Sequence, residues 1–229
     1  MHLILASASP RRRDILRQVG IEPVIIPADI DENITETDPA EKVKKLSKLK
    51  AEAVEAALQK NPERLTIGVK TSGISNARTA CQFAILAADT VVAIDGDILG
   101  KPASHDEAFT MISRLQGHAH SVFTGVTLLL PDNANTVGTP SRAETAKSLR
   151  GTGYRADTFA VETRVHVRPM TEAEIRAYAD SEEPMDKAGA YGIQGAFAAY
   201  ISGIEGDYYN VVGLPISEVM RRMQTFTPC

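Results

Sequence analysis

The chain has few of the residues that mark several large classes of protein. Its 229 residues include only two cysteines, Cys81 and Cys229, which argues against a disulfide framework or a zinc cluster and favours a reducing compartment. No apolar run is long enough to span a membrane. The first apolar run is too short for a signal peptide and lacks its basic flank. We therefore expect a cytoplasmic protein that has no membrane contact.

The charge balance and the missing motifs exclude further classes. The formal net charge is −4 and aromatic residues make up 5% of the chain, so we expect no basic, aromatic face for stable binding of nucleic acid. Neither a GxxxxGK[ST] phosphate loop nor a GxGxxG dinucleotide motif is present. No serine or cysteine stands in a recognisable nucleophile motif. Any recognition of phosphate must therefore be local.

The apolar pattern predicts an α/β protein with a substantial core. Strands are predicted near the N-terminus and over residues 83–94, 121–130, 159–167 and 196–204, and the segment over 22–30 is predicted to be a short strand that runs into a loop. Helices are predicted after Pro10, over residues 39–60, and after Ser104, Thr171 and Pro215. The strand over 159–167 alternates apolar and polar residues and is expected to be antiparallel. We expect one domain over residues 1–229, with long surface segments at about 61–82 and 131–157 and a loop over 207–213.

The opening segment reads as strand, tight loop and helix. The apolar run ends at two serines, Ser9 suits the N-cap, and Pro10 suits the first helical position. Three arginines follow: Arg11, Arg12 and Arg13. Cations in a first helical turn oppose the helix dipole, and a bound anion would remove the conflict. The segment thus predicts either a phosphate cradle or a solvated basic turn.

A lysine lies on the apolar face of the second helix. Val43, Leu46 and Val54 share one side of the helical wheel, and Lys50 falls in the middle of that side. Either Lys50 snorkels to solvent at the helix edge, or it is a buried cation directed at the phosphates of a ligand.

A carboxylate interrupts the most apolar strand. Asp89 stands inside the run over residues 83–94, where burying an unpaired charge costs several kcal/mol. Asp89 is either a structural residue bonded to backbone amides, or a Mg²⁺ ligand or general base at the end of a central strand. Asp31 and Glu32 can add oxygen ligands from a loop. His118 and His120 are a weak metal signal, and solvation or a local hydrogen bond is the favoured interpretation. The chemistry resembles metal-assisted attack of water on a phosphate.

Six motifs run in order from one end of the chain to the other. They are Ser7-Ala-Ser-Pro-Arg-Arg12, Ala88-Asp-Thr-Val-Val92, Gly100-Lys-Pro102, Thr124-Gly-Val126, Asp186-Lys-Ala-Gly-Ala-Tyr-Gly-Ile-Gln-Gly195 and Asn210-Val-Val-Gly-Leu-Pro215. Together they resemble the Maf family of nucleoside triphosphate pyrophosphatases.

The resemblance implies hydrolysis of a nucleoside triphosphate to the monophosphate and pyrophosphate, which removes non-standard or excess nucleotides. It implies a fold like that of inosine triphosphatases, with a mixed, partly antiparallel central sheet flanked by helices and a cleft between two lobes. It also implies a divalent metal, Mg²⁺ or Mn²⁺, and the homodimer that members of the family often form.

The resemblance also assigns residues. Asp89 matches the catalytic proton acceptor and, with Glu32, is expected to hold the metal. Arg12, Lys50 and Lys101 are expected to act in catalysis, and Ser7 to bind substrate. They match positions that line the phosphate and metal site.

Three positions separate the substrate branches of the family. Arg11, Thr90 and Gln194 resemble the residues of the branch that acts on dTTP and UTP. Members of the 7-methyl-GTP branch carry Tyr, Gln and Glu at the matching positions. A glutamine amide can both donate to and accept from a pyrimidine edge. We expect dTTP and UTP as substrates, with modified pyrimidine triphosphates as further candidates.

Two alternatives remain open at this point. The first is a nucleotide-binding regulator linked to cell division, which would bind dTTP without releasing pyrophosphate. The second is a phosphotransferase, whose product would depend on an acceptor alcohol.

Overall fold

Eight strands form one mixed sheet in the computed structural model, which describes residues 2–61, 83–131, 147–148 and 153–224. The strands are β1 (His2–Leu5), β2 (Val24–Ile25), β3 (Phe83–Ile94), β4 (Asp97–Leu99), β5 (Ala119–Pro131), β6 (Lys147–Ser148), β7 (Tyr154–Val167) and β8 (Ile201–Glu205). Their order is β2-β1-β3-β5-β7-β6, with β4 paired to β3 and β8 paired to β7. β1 runs parallel to β2 and β3, and the other pairs are antiparallel. The predicted mixed, partly antiparallel sheet is confirmed.

Six α-helices surround the sheet in the described part of the chain. They are α1 (Pro10–Gln18), α2 (Pro39–Lys60), α3 (His105–Leu115), α4 (Glu172–Ala179), α5 (Tyr208–Val212) and α6 (Ile216–Gln224). Asp38 caps α2 by accepting from the amide of Glu41, and Thr171 forms a complete capping box with Glu174 at the start of α4. Ser9 precedes α1, but its side chain makes no capping hydrogen bond.

The strand β3 passes through three apolar clusters. In its first half, Leu86 packs with α1 and α6 on one face of the sheet, and Ile85 packs with α2 on the other. In its second half, Val92 and Ile94 pack with α3 and α4. Because side chains alternate between the faces of a strand, a strand covered on both faces must be apolar almost throughout. Asp89 and Thr90 lie where β3 leaves the first two clusters and enters the third.

Three predicted elements differ from the structure. The segment over 196–204 was expected to be a strand, but Ala196–Tyr200 is a 3-10 helix and the strand starts at Ile201. The segment over 207–213 was expected to be a loop, but it contains α5, which Asp207 caps. β7 starts at Tyr154 instead of Phe159, so the last residues of the expected surface segment belong to the sheet.

Parts of the prediction fall outside the described residues. They include nearly all of the segment over 61–82, most of the segment over 131–157, and both cysteines. Among the helices that the structure describes, none combines the length and the apolar character needed to cross a membrane.

Candidate active site

One cavity of about 990 Å³ is lined by nine residues that the sequence places in the site, whereas Asp31, the other candidate oxygen ligand, is not among the lining residues. These nine residues are Ser7, Arg11, Arg12, Glu32, Lys50, Asp89, Thr90, Lys101 and Gln194. They come from the β1–α1 loop, the first turn of α1, the loop before α2, α2 itself, β3, the segment after β4 and the glycine-rich segment after α4. Residues nearly 190 positions apart in the chain therefore line a single space.

Arg12 is anchored by three groups from different elements. Its guanidinium donates to the Oγ of Ser7 at 3.0 Å, to the Oγ1 of Thr90 at 3.1 Å and to the carbonyl of Gly213 at 2.8 Å. Desolvation lowers the pKa of Arg12, and the neighbouring Arg11 lowers it further. The planar, five-donor guanidinium can hold several partners at once and stays charged. These contacts hold the positive charge of Arg12 in a fixed position in the cavity.

The hydroxyl of Thr90 is part of this anchor. It lies 2.9 Å from the Oγ1 of Thr124 on β5, which in turn donates to the carbonyl of Asn210 at 2.8 Å. A chain of hydrogen bonds therefore runs from Arg12 through two neighbouring strands to α5. This arrangement holds the start of α1 against the middle of the sheet.

Lys50 bridges two carboxylates. Its Nζ lies 2.6 Å from the Oδ1 of Asp89 and 2.7 Å from the Oε1 of Glu32. Lys50 is 9% exposed and Asp89 is 8% exposed. The snorkelling alternative for Lys50 is therefore wrong, because the ammonium is buried and paired. Burial raises the pKa of Glu32, but the hydrogen bond and charge of Lys50, with Lys101 and Arg12, outweigh burial and hold that pKa below its ordinary value.

Asp89 lies in the middle of β3, not at the end of the strand as expected. The strand spans Phe83–Ile94 and continues beyond Asp89 into the apolar cluster with α3 and α4. The sheet position opposite Asp89 is Gly125 on β5. A Cβ at Gly125 would lie 2.3 Å from the backbone carbonyl of Val43 on α2. The absence of a side chain at Gly125 therefore lets α2 approach the sheet beside Asp89.

The cavity carries an excess of positive charge. Six basic and four acidic side chains line it, a local balance of +2, whereas the whole chain has a formal net charge of −4. Arg11 donates to the Oδ2 of Asp186 at 3.3 Å, and both side chains are partly exposed. Lys101 is exposed and follows Gly100, whose carbonyl accepts from the amide of Gly189 at 2.9 Å. The cavity thus has the local basic character that binding of a polyphosphate needs.

The donor set suits a magnesium ion that shares its coordination with substrate. Mg²⁺ is usually bound through one or two carboxylates together with phosphate oxygens and water. The carboxylates of Asp89 and Glu32 both lie within hydrogen-bond distance of one nitrogen, that of Lys50. Within the described ranges, no group of three or more His, Cys, Asp and Glu side chains is suited to a metal ion. Asp89 and Glu32 are the two carboxylates that could hold such an ion together with phosphate oxygens.

His120 forms a local hydrogen bond, as the favoured interpretation expected. Its Nε2 lies 2.7 Å from the hydroxyl of Tyr191, and the residue is 2% exposed. Burial, together with a smaller effect of the nearby His166, lowers the pKa of His120 to about 4. His120 is thus a neutral core residue behind the cavity wall.

Sequence reasoning missed several residues of the cavity. Glu183, Asp186, Lys187 and Tyr191 also line it. The late glycine-rich segment gave a signal for them, because it holds several charged residues and an aromatic residue close to Gln194. Only Gln194 was assigned, although Tyr191 bonds to His120 and Asp186 to Arg11, because these contacts join residues far apart in the chain.

Comparison with known proteins shows the family of the chain. The chain matches the family model described as "Maf-like protein" over residues 2–226. The chain belongs to the Maf family.

Individual relatives match over nearly the full length. A dTTP/UTP pyrophosphatase from Agathobacter rectalis is 42% identical over 224 residues, which cover 97% of this chain and 96% of the relative. The dTTP/UTP pyrophosphatases of Carboxydothermus hydrogenoformans and Symbiobacterium thermophilum are 38% and 40% identical, and each covers 98% of this chain. The matched regions cover 98% and 93% of those two relatives. The resemblance to the Maf family seen in the sequence is thus confirmed, and all six motifs lie within the matched residues.

Proposed function

We propose that this Maf protein is a metal-dependent nucleoside triphosphate pyrophosphatase that converts dTTP and UTP to their monophosphates and pyrophosphate. Relatives that are named dTTP/UTP pyrophosphatase and match nearly the whole chain support this class of enzyme. The single structural observation that carries the proposal is the buried pair of Lys50 and Asp89 in a cavity with excess positive charge. Removal of non-standard or excess nucleotides is the cellular role that we attach to this activity.

The cations of the cavity would neutralise the triphosphate. Arg12 has a fixed position because Ser7, Thr90 and Gly213 accept its hydrogen bonds. Preorganised cations stabilise charge that develops on a leaving group without the cost of reorganisation. In this proposal Arg12 and Lys101 stabilise the pyrophosphate as it leaves, and the hydroxyl of Ser7 contributes a further phosphate contact.

Asp89 acts as the general base in this proposal. Its carboxylate, oriented by Lys50 at 2.6 Å, takes a proton from the water that attacks the α-phosphorus. The bond from the α-phosphorus to the bridging oxygen breaks, and pyrophosphate leaves with that oxygen. Asp89 and Glu32 would hold Mg²⁺ or Mn²⁺, which when bound supplies charge neutralisation on the phosphates and activation of water. Lys50 holds the carboxylates of Asp89 and Glu32 close to each other.

Gln194 is the base-reading residue in this proposal. It is exposed and lines the cavity, and its amide offers both a donor and an acceptor to a pyrimidine. Arg11, which lies at the same cavity and pairs with Asp186, is assigned to substrate selection. Thr90 contributes through the position that it gives to Arg12.

A panel of triphosphates tests the proposal. The purified chain with Mg²⁺ or Mn²⁺ is expected to release pyrophosphate and monophosphate from dTTP and UTP, with kcat/KM about tenfold or more above that for purine triphosphates. Modified pyrimidines such as 5-methyl-UTP extend the panel. Three results would contradict the proposal: binding of dTTP without turnover, formation of dTDP and phosphate, or dependence on an acceptor alcohol.

A further inference from the structure

The carboxylate of Glu183 joins the two ends of the turn that carries Gln194. Its Oε2 accepts from the amide of Ala196 at 2.8 Å, and its Oε1 accepts from the hydroxyl of Tyr178 at 3.0 Å. The same hydroxyl accepts from the amide of Gly192 at 3.3 Å. Glu183 is thus linked directly to residue 196 and through Tyr178 to residue 192. Gln194 lies between these two points.

The turn has no room for a side chain at Gly192 or Gly195. A Cβ at Gly195 would lie 2.1 Å from the Oε1 of Glu183, and a Cβ at Gly192 would lie 2.7 Å from the side chain of Lys187. The amide of Gly195 also donates to the carbonyl of Gly192 at 3.2 Å, which closes the turn. The two glycines therefore allow the turn to fold tightly over Glu183.

Tyr178 and the backbone of Glu183, to which the turn is bonded, are themselves held in place. Tyr178 belongs to α4, is 5% exposed and packs against the fully buried ring of Phe197 with 4.9 Å between ring centroids. Lys187 donates to the carbonyl of Glu183 at 2.6 Å and so holds the backbone of that residue. Burial and the charge of Glu183 raise the pKa of Tyr178, so its hydroxyl remains a donor. The turn is therefore tied to a packed helix.

We propose that Glu183 is a positioning residue for base selection, because its carboxylate fixes the turn over residues 192–196 and with it the amide of Gln194. This inference rests on the proposed reading of the base by Gln194. Loss of the carboxylate would free the turn, so that Gln194 no longer distinguishes a pyrimidine from a purine. The effect would appear in binding of the base and not in the cleavage step.

The test compares four variants by two measurements. The first is the ratio of kcat/KM for dTTP to that for dATP, and the second is the ratio of the dissociation constant for dAMP to that for dTMP. The monophosphates are not cleaved, so the binding ratio reports on the turn even if the proposed activity is absent. The variants are Glu183→Ala, Glu183→Gln and Tyr178→Phe, with Glu182→Ala as a control at an exposed neighbouring carboxylate.

Glu183→Ala is expected to lower both ratios about tenfold, since two hydrogen bonds to a charged group are lost. The change should lie mainly in KM, with kcat for dTTP altered far less. Glu183→Gln is expected to stay within about threefold of the wild type, because the amide can still accept from Ala196 and donate to Tyr178. Tyr178→Phe should lower the ratios while leaving the ring packing intact, and Glu182→Ala should change neither ratio.

Hydrogen exchange adds a local measurement. The amide of Ala196 is expected to exchange faster in Glu183→Ala than in the wild type, with no matching change in the core strands. If Glu183→Ala does not fold, Tyr178→Phe tests the positioning role of Glu183. An unchanged binding ratio in Tyr178→Phe overturns the proposal. An equal loss of kcat on all substrates with unchanged ratios, or a Glu183→Gln variant as impaired as Glu183→Ala, also overturns it. If the wild type binds dTMP selectively but releases no pyrophosphate, the proposed function fails and the positioning role is still decided.

Discussion

The ammonium of Lys50 lies 2.6 Å from the Oδ1 of Asp89, and each side chain is 11% exposed. Neither charge is stable alone in such a place, since removing one partner of a buried pair costs about 3–5 kcal/mol. The pair also sets the direction of the Asp89 carboxylate. Lys50 further joins Glu32 to the same point, so one cation holds two acids that would otherwise repel each other.

Replacing Lys50 by methionine tests this relationship. Lys50→Met keeps the length of the side chain but leaves Asp89 and Glu32 without their shared partner. We expect pyrophosphate release from dTTP to fall about 100-fold or more, because the base loses its orientation. Lys48→Met is the matched control, since Lys48 lies on the same helix, is half exposed and pairs only at 3.8 Å with Glu52. The relationship is refuted if both variants turn over dTTP at similar rates.

Gly125 sets the distance between α2 and the sheet. A methyl group there would meet the backbone of Val43 at 2.3 Å, and backbone cannot move aside as a side chain can. We expect Gly125→Ala to lower the free energy of unfolding by about 1–3 kcal/mol or more and to reduce activity, because Lys50 lies on the same helix.

A second glycine gives the control for that substitution. Gly203 lies in β8, and an added Cβ would have no atom within 4 Å. Gly203→Ala is therefore expected to change the free energy of unfolding by no more than about 0.5 kcal/mol. Urea unfolding of both variants makes the comparison. Equal stability of the two variants would show that α2 does not depend on close approach at Gly125.

His120 makes the stability of the protein sensitive to acid. Its pKa is about 4 in the folded chain, against 6.5 for an ordinary histidine. As the pH falls below about 6.5, the unfolded chain takes up a proton at this residue and the folded chain does not. Unfolding is then favoured, so the free energy of unfolding should fall by about 2 kcal/mol from this group between pH 7 and pH 5.

The variant His120→Gln removes the titrating ring and keeps a polar partner for Tyr191. We expect its urea-unfolding free energy to change less between pH 7 and pH 5 than that of the wild type. His118→Gln, at an exposed histidine nearby, should retain the dependence of the wild type. An unaltered pH dependence in His120→Gln would mean that His120 titrates normally in the folded state.

Much of the sheet could be predicted because local sequence determines it. The run over 83–94 forms β3 with the predicted bounds, and Asp95 and Gly96 form its turn with φ angles of 53° and 84°. Asn, Asp and Gly tolerate such angles, so this dipeptide is a strong turn signal. By contrast, α5 has only five residues, which are too few to show a helical period, so the sequence did not predict it.

The candidate site was predictable only in part, for a physical reason. Charges in apolar surroundings, such as Lys50 and Asp89, stand out in sequence because their burial is costly. Their pairing with each other was not visible, since it depends on how α2 crosses the sheet. Glu183 gave no comparable signal, because its importance lies in contacts with Tyr178 and Ala196 that only the folded chain creates.

The rate of pyrophosphate release from dTTP by Asp89→Asn, measured beside the wild type, tests the central claim most directly. Asparagine has nearly the same shape as aspartate but cannot accept the proton of the attacking water. We expect the wild type to release pyrophosphate and the variant to be slower by about 100-fold or more, while it remains folded and still binds dTMP. Turnover by Asp89→Asn at a rate near that of the wild type would contradict the account.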